Sequence, residues 1–330
     1  MMRYIIAFIL ILAAFFVIVM VIDNNRFVVR EYAVSSPRIR SPLRIVFIAD
    51  LHEKSYGADN EKLIARIREL NPDLILIGGD LIVSADVFDH YRKMEKAGGS
   101  LDKNDRSWMP ASYSFARRIA GICPVWFVRG NHEIRLDHYD ELGEYGRIFQ
   151  SALEEAGISF IGNGFRDISG ADLGPGAKTA ADADTGIRLC GLELPMEYYK
   201  KFKKTSLSVD KIRELIPEPD RSRYNVLLTH SPVYFEQYVQ WGADLCLCGH
   251  VHGGLMRLPL IGGVMGTRPS LFPKYSGGRY SIRTGKGEDG REGVMVLTCG
   301  LGMHTLPIRI FNPGEISVVC LKPSDGQQRE

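Results

Sequence analysis

Two histidines stand two residues apart in Gly249-His250-Val251-His252-Gly253-Gly254, directly after the apolar run Leu245 to Cys248. Imidazoles this close, on a turn that glycines leave open, can hold a metal ion at the carboxyl edge of a sheet. Four other segments offer partners: Asp50-Leu51-His52, Asp80 after Gly78-Gly79, Asn131-His132 after Gly130, and His230 after Thr229. Taken together, Asp50, His52, Asp80, Asn131, His230, His250 and His252 supply carboxylate, amide and imidazole donors. Hard cations such as Ca²⁺ want oxygens only, and structural zinc wants thiolates. This mixed set is too large for one ion and suits two divalent ions about 3.5–4 Å apart sharing a carboxylate. Unrelated polar residues at so many strand ends would be costly to bury.

The elements that must position them are legible as apolar runs. Arg44 to Ala49 and Leu74 to Ile77 read as buried strands, and Leu63, Ile64, Ile67 and Leu70 give the segment between them a helical period. Strand, helix, strand at this spacing is a parallel βαβ unit. It brings Asp50, His52 and Asp80 to one carboxyl edge, where open α/β sheets bind ligands. Val125 to Val128 reads as the strand ending in Arg129-Gly130-Asn131-His132-Glu133, and Val226 to Thr229 as the strand ending in His230. Helices are expected over Ser112 to Ala120, Ile148 to Ala156 and Phe235 to Val239, and a surface loop over Lys93 to Arg106. Gly164 to Gly186 suggests a hairpin. Tyr280 to Ile282, Val294 to Thr298, Pro307 to Phe311 and Ile316 to Leu321 read as alternating antiparallel strands.

The 41 basic and 39 acidic residues among 330 leave a net charge of +2, which argues against a nucleic-acid partner. Six cysteines lie scattered, mostly in apolar runs with no C-x-x-C pair, and read as buried free thiols. Nothing in the sequence speaks to oligomeric state.

Ile5 to Ile22 is an unbroken apolar stretch of 18 residues. It approaches the roughly 20 needed to cross a bilayer core, and no small-x-small cleavage site follows. Residues 1–22 are therefore expected to be an uncleaved single-pass signal anchor, 23–42 a juxtamembrane linker, 43–322 the catalytic domain and 323–330 a disordered tail. Arg26, Arg30, Arg38 and Arg40 pull the C-terminal side toward the cytoplasm. The short N-terminal tail points the other way and tips the reading toward an extracytoplasmic domain. The basic run Lys200, Lys201, Lys203 and Lys204, beside Tyr198, Tyr199 and Phe202, is expected to be a solvated face, with contact to lipid head groups as the alternative.

The blocks D-x-H at Asp50 and His52, G-G-D ending in Asp80, G-N-H-E from Gly130 to Glu133, T-H at His230 and G-H-x-H from Gly249 to His252 resemble the calcineurin-like metallophosphoesterases. With the apolar N-terminus, Leu271-Phe272-Pro273-Lys274-Tyr275 and Pro307-Ile308-Arg309-Ile310-Phe311-Asn312, the chain looks most like their membrane-associated branch. That branch contains YkuE-like proteins and some UDP-2,3-diacylglucosamine hydrolases. The resemblance implies an α/β fold, a four-layer α/β/β/α sandwich. It implies one ion held by Asp50, His52, Asp80 and His252 and a second by Asp80, Asn131, His230 and His250, with Asp80 bridging. Manganese is the first expectation, ahead of Fe, Zn, Mg or Co. His132 is implied to protonate the leaving oxygen or stabilise its charge. Arg129 and His304 are candidate substrate contacts, with a plain salt bridge as the alternative for Arg129. Glu53 and Glu133 are placed to hydrogen-bond a ligand histidine. The implied substrate is a phosphodiester or pyrophosphate, lipid-linked or nucleotide-sugar in kind. Hydrolysis of soluble monoesters or nucleotides, or a non-catalytic scaffold on the same fold, are the alternatives.

Overall fold

Ile45 and Phe47 point to one side of their strand and Val46 and Ile48 to the other, yet all four are buried. Side chains alternate along a strand, so both faces of this sheet must be covered. The computed structural model describes residues 1–200, 205–258, 261–266, 271–285, 290–304 and 306–324. Lys201, Phe202, Lys203 and Lys204 of the basic run, and 325–330 of the expected tail, lie outside the described residues.

In chain order the elements are α1 (Met2–Asn24), β1 (Phe27–Ser36), β2 (Leu43–Ile48), α2 (Glu61–Glu69), β3 (Leu74–Ile77), α3 (Ser84–Lys96), α4 (Pro110–Ala120), β4 (Val125–Phe127), α5 (Asn131–His138), α6 (Gly143–Glu155) and β5 (Ile158–Phe160). They continue with β6 (Phe165–Ser169), β7 (Asp184–Leu192), α7 (Val209–Leu215), β8 (Tyr224–Thr229), α8 (Phe235–Trp241), β9 (Leu245–Cys248), β10 (Arg257–Leu258), β11 (Gly262–Gly263), β12 (Gly278–Thr284), β13 (Arg291–Leu297) and β14 (Gly314–Pro323). One six-stranded sheet has the order β1-β14-β2-β3-β4-β5 and the other β12-β13-β9-β8-β7-β6. Ile45, Phe47, Leu74 and Leu76 of the first sheet pack on Leu189, Val226, Leu228 and Leu247 of the second. On the outer faces, Val46, Ile48, Ile75 and Ile77 meet Leu63, Ile67, Phe115 and Phe149, and Leu227, Cys246 and Met295 meet Ile212, Phe235 and Trp241. Three cores between four layers make the α/β/β/α sandwich, each large apolar side chain contributing about 1.5–3 kcal/mol on burial.

β2 through β5 run parallel, as do β7, β8, β9 and β13. Asp50 and Asp80 therefore follow parallel strands of one sheet, and His230 and His250 parallel strands of the other. The six cysteines are free, five of them buried.

Four local readings need correction. Residues 27–36 are not a linker: they form β1, paired in parallel with β14. The charges that disguised this strand are paired, Arg30 with the buried Glu315 and Glu31 with Arg44 at 2.7 Å. Pro307 to Phe311 is not a strand, because Arg309 turns inward and is 1% exposed, making a bridge only at Ile310 with Met256. Lys93 to Lys96 belongs to α3 rather than to a loop. The late strands are not simply antiparallel, since β13 lies parallel to β9 and β14 parallel to β1. α1 is a single helix of 23 residues, exposed along its apolar length and long enough to cross a membrane.

Candidate metal centre

Strand ends alone do not aim side chains at one point; the turns after them do. Asp50, His52, Asp80, His250 and His252 all have φ between 48° and 75°. This left-handed conformation costs non-glycine residues about 1–3 kcal/mol each and concentrates at functional sites. Glycines let the turns approach closely: a Cβ on Gly130 would lie 2.2 Å from Asp80 Oδ1, and one on Gly79 2.3 Å from the Gly130 nitrogen. Asn131 and His132 do not simply end β4 but begin α5.

Six of the seven sequence-derived positions converge, and the seventh, Asn131, directly follows Gly130, whose backbone abuts Asp80. His230 Nε2 lies 3.0 Å from Asp80 Oδ2 and 3.8 Å from Asp50 Oδ1. His52 Nε2 lies 3.9 Å from Asp50 Oδ1 and 3.8 Å from Asp80 Oδ2, and His252 Nε2 is 4.0 Å from Asp50 Oδ1. Donors that share a cation at about 2.0–2.2 Å from each can lie up to about 4.0–4.4 Å apart, so all of these separations fit. His250 Nδ1 faces His230 Nε2 at 3.2 Å.

Backbone carbonyls set the tautomers. Nδ1 of His52 lies 3.2 Å from the Ile82 carbonyl, Nδ1 of His230 2.6 Å from that of Gly78, and Nδ1 of His252 3.2 Å from that of Gly302. A carbonyl only accepts, so each Nδ1 carries the proton and each Nε2 turns a lone pair inward, the arrangement of metal-ligating histidines. His52 Nε2 and Asn131 Oδ1 are buried with no hydrogen-bond partner. Both are lone-pair donors, and a cation satisfies them where no N–H or O–H does. The residues thus fit a metal site. Burial holds His52 neutral, with its pKa down to about 3, and holds His252 well below the usual range; neutral imidazole is the ligating form. Burial also raises Asp50 to about 7. His230 is the exception: burial opposes its charge, but Asp80 outweighs that and lifts it to about 9. The two share a proton where a cation would compete.

His132 has the opposite tautomer. The Ser84 N–H donates to His132 Nδ1 at 2.9 Å, with Ser84 Oγ at 3.1 Å. The lone pair is therefore on Nδ1 and the N–H on Nε2. His132 lies close enough to His52 and Asp80 to join a ligand cluster, but a protonated Nε2 donates a hydrogen bond and binds no cation.

The glutamates act on backbone rather than on histidines. Glu133 accepts from the N–H groups of Asp80, at 2.9 Å, and Gly130, at 2.8 Å, through one oxygen. Its other oxygen accepts from Leu81 at 2.7 Å and Ile82 at 3.3 Å. It thus clamps the Asp80 turn to the start of α5. Glu53 accepts from Ala111 N–H at 2.8 Å at the start of α4. The Arg129 guanidinium is engaged by Glu193 at 2.8 Å and by Asp137, as the salt-bridge alternative has it. His304 reaches the site, with its ring centroid 4.5 Å from that of His132 and 4.8 Å from that of His52.

Four contributors escaped the sequence reading. Ser84 fixes His132. Tyr199 packs its ring 5.3 Å from that of His250. The buried Arg309 donates to the carbonyls of Cys299 and Gly302, the latter at 2.7 Å, and so holds the oxygen that orients His252. Asn312 donates through its side chain to the carbonyls of His252 at 2.7 Å and Gly254 at 2.6 Å. A polar residue at the end of an otherwise apolar or basic motif was the only local signal for the last.

Comparison with known proteins agrees with this geometry. The chain is 26% identical over 285 residues to the uncharacterized metallophosphoesterase YkuE of Bacillus subtilis, covering 86% of this chain and 80% of that protein. It is 25% identical over 227 residues to the phosphodiesterase YaeI of Escherichia coli, covering 67% of this chain and 65% of that one. It is 24% identical over 298 residues to the uncharacterized metallophosphoesterase Cj0846 of Campylobacter jejuni, covering 89% of this chain and 63% of that one. The family profile described as calcineurin-like phosphoesterase matches residues 43–254, which hold all seven sequence-derived positions. The chain belongs to the calcineurin-like phosphoesterases, metal-dependent hydrolases of phosphate esters.

Proposed function

We propose that this protein is a membrane-anchored phosphodiesterase or pyrophosphatase working with two divalent ions, on a lipid-linked or nucleotide-sugar substrate of the UDP-2,3-diacylglucosamine kind. The observation that carries the two-ion reading is the set of inward Nε2 atoms of His52, His230 and His252 around Asp50 and Asp80, beside the unpartnered Asn131 oxygen. Asp50, His52, Asp80 and His252 would hold one ion and Asp80, Asn131, His230 and His250 the other, with manganese expected first among Mn, Fe, Zn, Mg and Co. What such a pair supplies when bound is a lowered pKa for water and neutralisation of charge on the phosphoryl oxygens. The protein's own part is positioning. His132 offers its Nε2–H to the leaving oxygen, and Ser84 keeps the ring from turning. His304, beside His52 and His132, is placed to meet the substrate.

The name of the E. coli relative supports the diester over the monoester. α1 supports the anchor, and an anchor confines the site to a membrane surface, which motivates an amphiphilic substrate. The test is turnover by the full-length protein in detergent, loaded with Mn²⁺, on an aryl phosphodiester and the matching monoester. Diester hydrolysis that disappears with chelator and returns with metal is the expected result. Monoester-only activity would mean a phosphatase or nucleotidase, and no turnover with any divalent metal would mean a scaffold.

A further inference from the structure

Outside α1, the exposed large apolar residues gather in one place. Beyond the N-terminal Met1 and α1, eight are found among the described residues: Ile261, Met265, Leu271, Phe272, Leu306 and Phe311 lie in two segments, and Tyr139 and Phe165 lie elsewhere. Leu271 is 68% exposed and Phe272 57%. Monomeric soluble surfaces rarely carry such clustering unless it meets a partner or a membrane. The two segments form one lip. Arg257 N–H donates to the Ile310 carbonyl at 3.0 Å, Ile310 N–H to that of Leu255 at 3.1 Å, and Phe272 N–H to that of Val264 at 2.8 Å. Phe272 and Phe311 have φ of 52° and 53°, uncommon for bulky residues.

Continuity with α1 selects the occupant. The ring of Phe311 lies 6.3 Å from that of Phe15 and 6.4 Å from that of Phe16. At 1.5 Å per residue, Phe16 is about 9 Å along the helix from Ile22, where the apolar stretch ends. Interfacial segments bury their apolar faces about 5–10 Å into a leaflet. If α1 crosses a bilayer, Phe311 is carried to that depth. The exposed Lys274 follows Phe272 by two residues and can reach the phosphate layer while the apolar tips sit below it.

We infer that this lip is a second membrane contact, dipping into the leaflet that α1 crosses and holding the metal centre at the bilayer surface. The inference rests on the membrane reading above and narrows the substrate to a phosphoester presented from the leaflet. The chain leaves His252 and enters the lip through Gly253 and Gly254, and Asn312 bonds the carbonyls of His252 and Gly254. The ligand turn and the lip are therefore fastened together.

The test is tryptophan fluorescence of the full-length protein in phosphatidylcholine vesicles, with acyl-chain-brominated lipid and aqueous iodide as quenchers. Phe272→Trp and Leu306→Trp report the lip, and Phe15→Trp reports α1. Phe165→Trp, on the edge strand opposite β12, is the exposed control, and the parent's three tryptophans set the background. Brominated lipid should quench the added signal of Phe272→Trp and Leu306→Trp at least twofold more than that of Phe165→Trp, with iodide doing the reverse. Quenching at Phe15→Trp but iodide-accessible, bromolipid-insensitive signals at the lip would overturn the inference while leaving the anchor standing. Loss of bromolipid quenching at Phe15→Trp as well would remove the membrane reading itself. A lip shielded from both quenchers would mean that protein covers it, which also overturns the inference.

Discussion

Asp23, buried at the end of α1, accepts a hydrogen bond at 2.9 Å from the backbone N–H of Asn312. Because the Asn312 side chain bonds the carbonyls of His252 and Gly254, the N-terminal helix and the His252 turn meet through one residue. Asn24 adds a second tie, donating to the Pro307 carbonyl at 2.6 Å. The helix is thus part of the architecture of the site as well as an apolar segment.

Asn312→Ala should weaken metal binding although it removes no ligand. Two buried carbonyls lose their donor, each at about 1–3 kcal/mol, and changes in such supporting bonds commonly cost 10–100-fold in metal affinity. Mn²⁺ titration of parent and variant would show it. Equal affinities would reduce Asn312 to a loop fastener.

A chain beginning at Arg26 should fold, whereas one beginning at Leu43 should not. The shorter chain lacks β1 and leaves Glu315 buried without Arg30, along with the hydrogen bond from the Tyr32 hydroxyl at 3.0 Å. Leaving the buried Glu315 carboxylate without its donors costs about 1–3 kcal/mol, and the pairing of β1 with β14 is lost as well, together a large share of a domain's stability. Circular dichroism and solubility of the two chains decide it. A cooperative melt from the shorter chain would contradict the structural role of β1.

The converging positions were readable in the sequence because each lies just past an apolar run, and Asp80, Asn131, His250 and His252 also sit beside glycines, both local signals. β1 was not, because Arg30 and Glu31 interrupt its apolar alternation and the carboxylate that neutralises Arg30 lies 285 positions away. Pro307 to Phe311 alternates like a strand, but the alternation records Arg309 turning in toward carbonyls. The donor character of His132 depends on Ser84, 48 positions earlier, and no spacing rule announces that bond. Arg129 looked like a phosphate clamp because it precedes a motif, while its partner Glu193 directly follows β7. Pairings across long stretches of chain were the part hidden from sequence.

Glu133→Gln should destabilise the fold and the site together. Both carboxylate oxygens accept from backbone N–H groups. An amide would turn an NH₂ toward two of these donors, leaving buried groups unpaired at about 1–3 kcal/mol each. A lowered melting temperature with reduced metal content is expected. An unchanged melt would mean the turns hold without the clamp.

Asp80→Ala and His132→Ala should separate binding from chemistry. Asp80 presents Oδ2 to His230 and His52 and Oδ1 to the backbone N–H of His132 at 2.8 Å. Its loss should remove metal and activity together, as a chelator would, and added Mn²⁺ should not restore the variant. His132 donates from Nε2 and holds no cation, so its variant should retain metal while kcat falls by about 10²–10⁴. Elemental analysis beside steady-state kinetics reads both. A His132→Ala protein that lost its metal would show that Ser84 does not dictate the tautomer and that His132 is a ligand. One that kept full rate on a substrate with a good leaving group but failed on a poor one would strengthen the assignment, because only the poor leaving group needs the donated hydrogen.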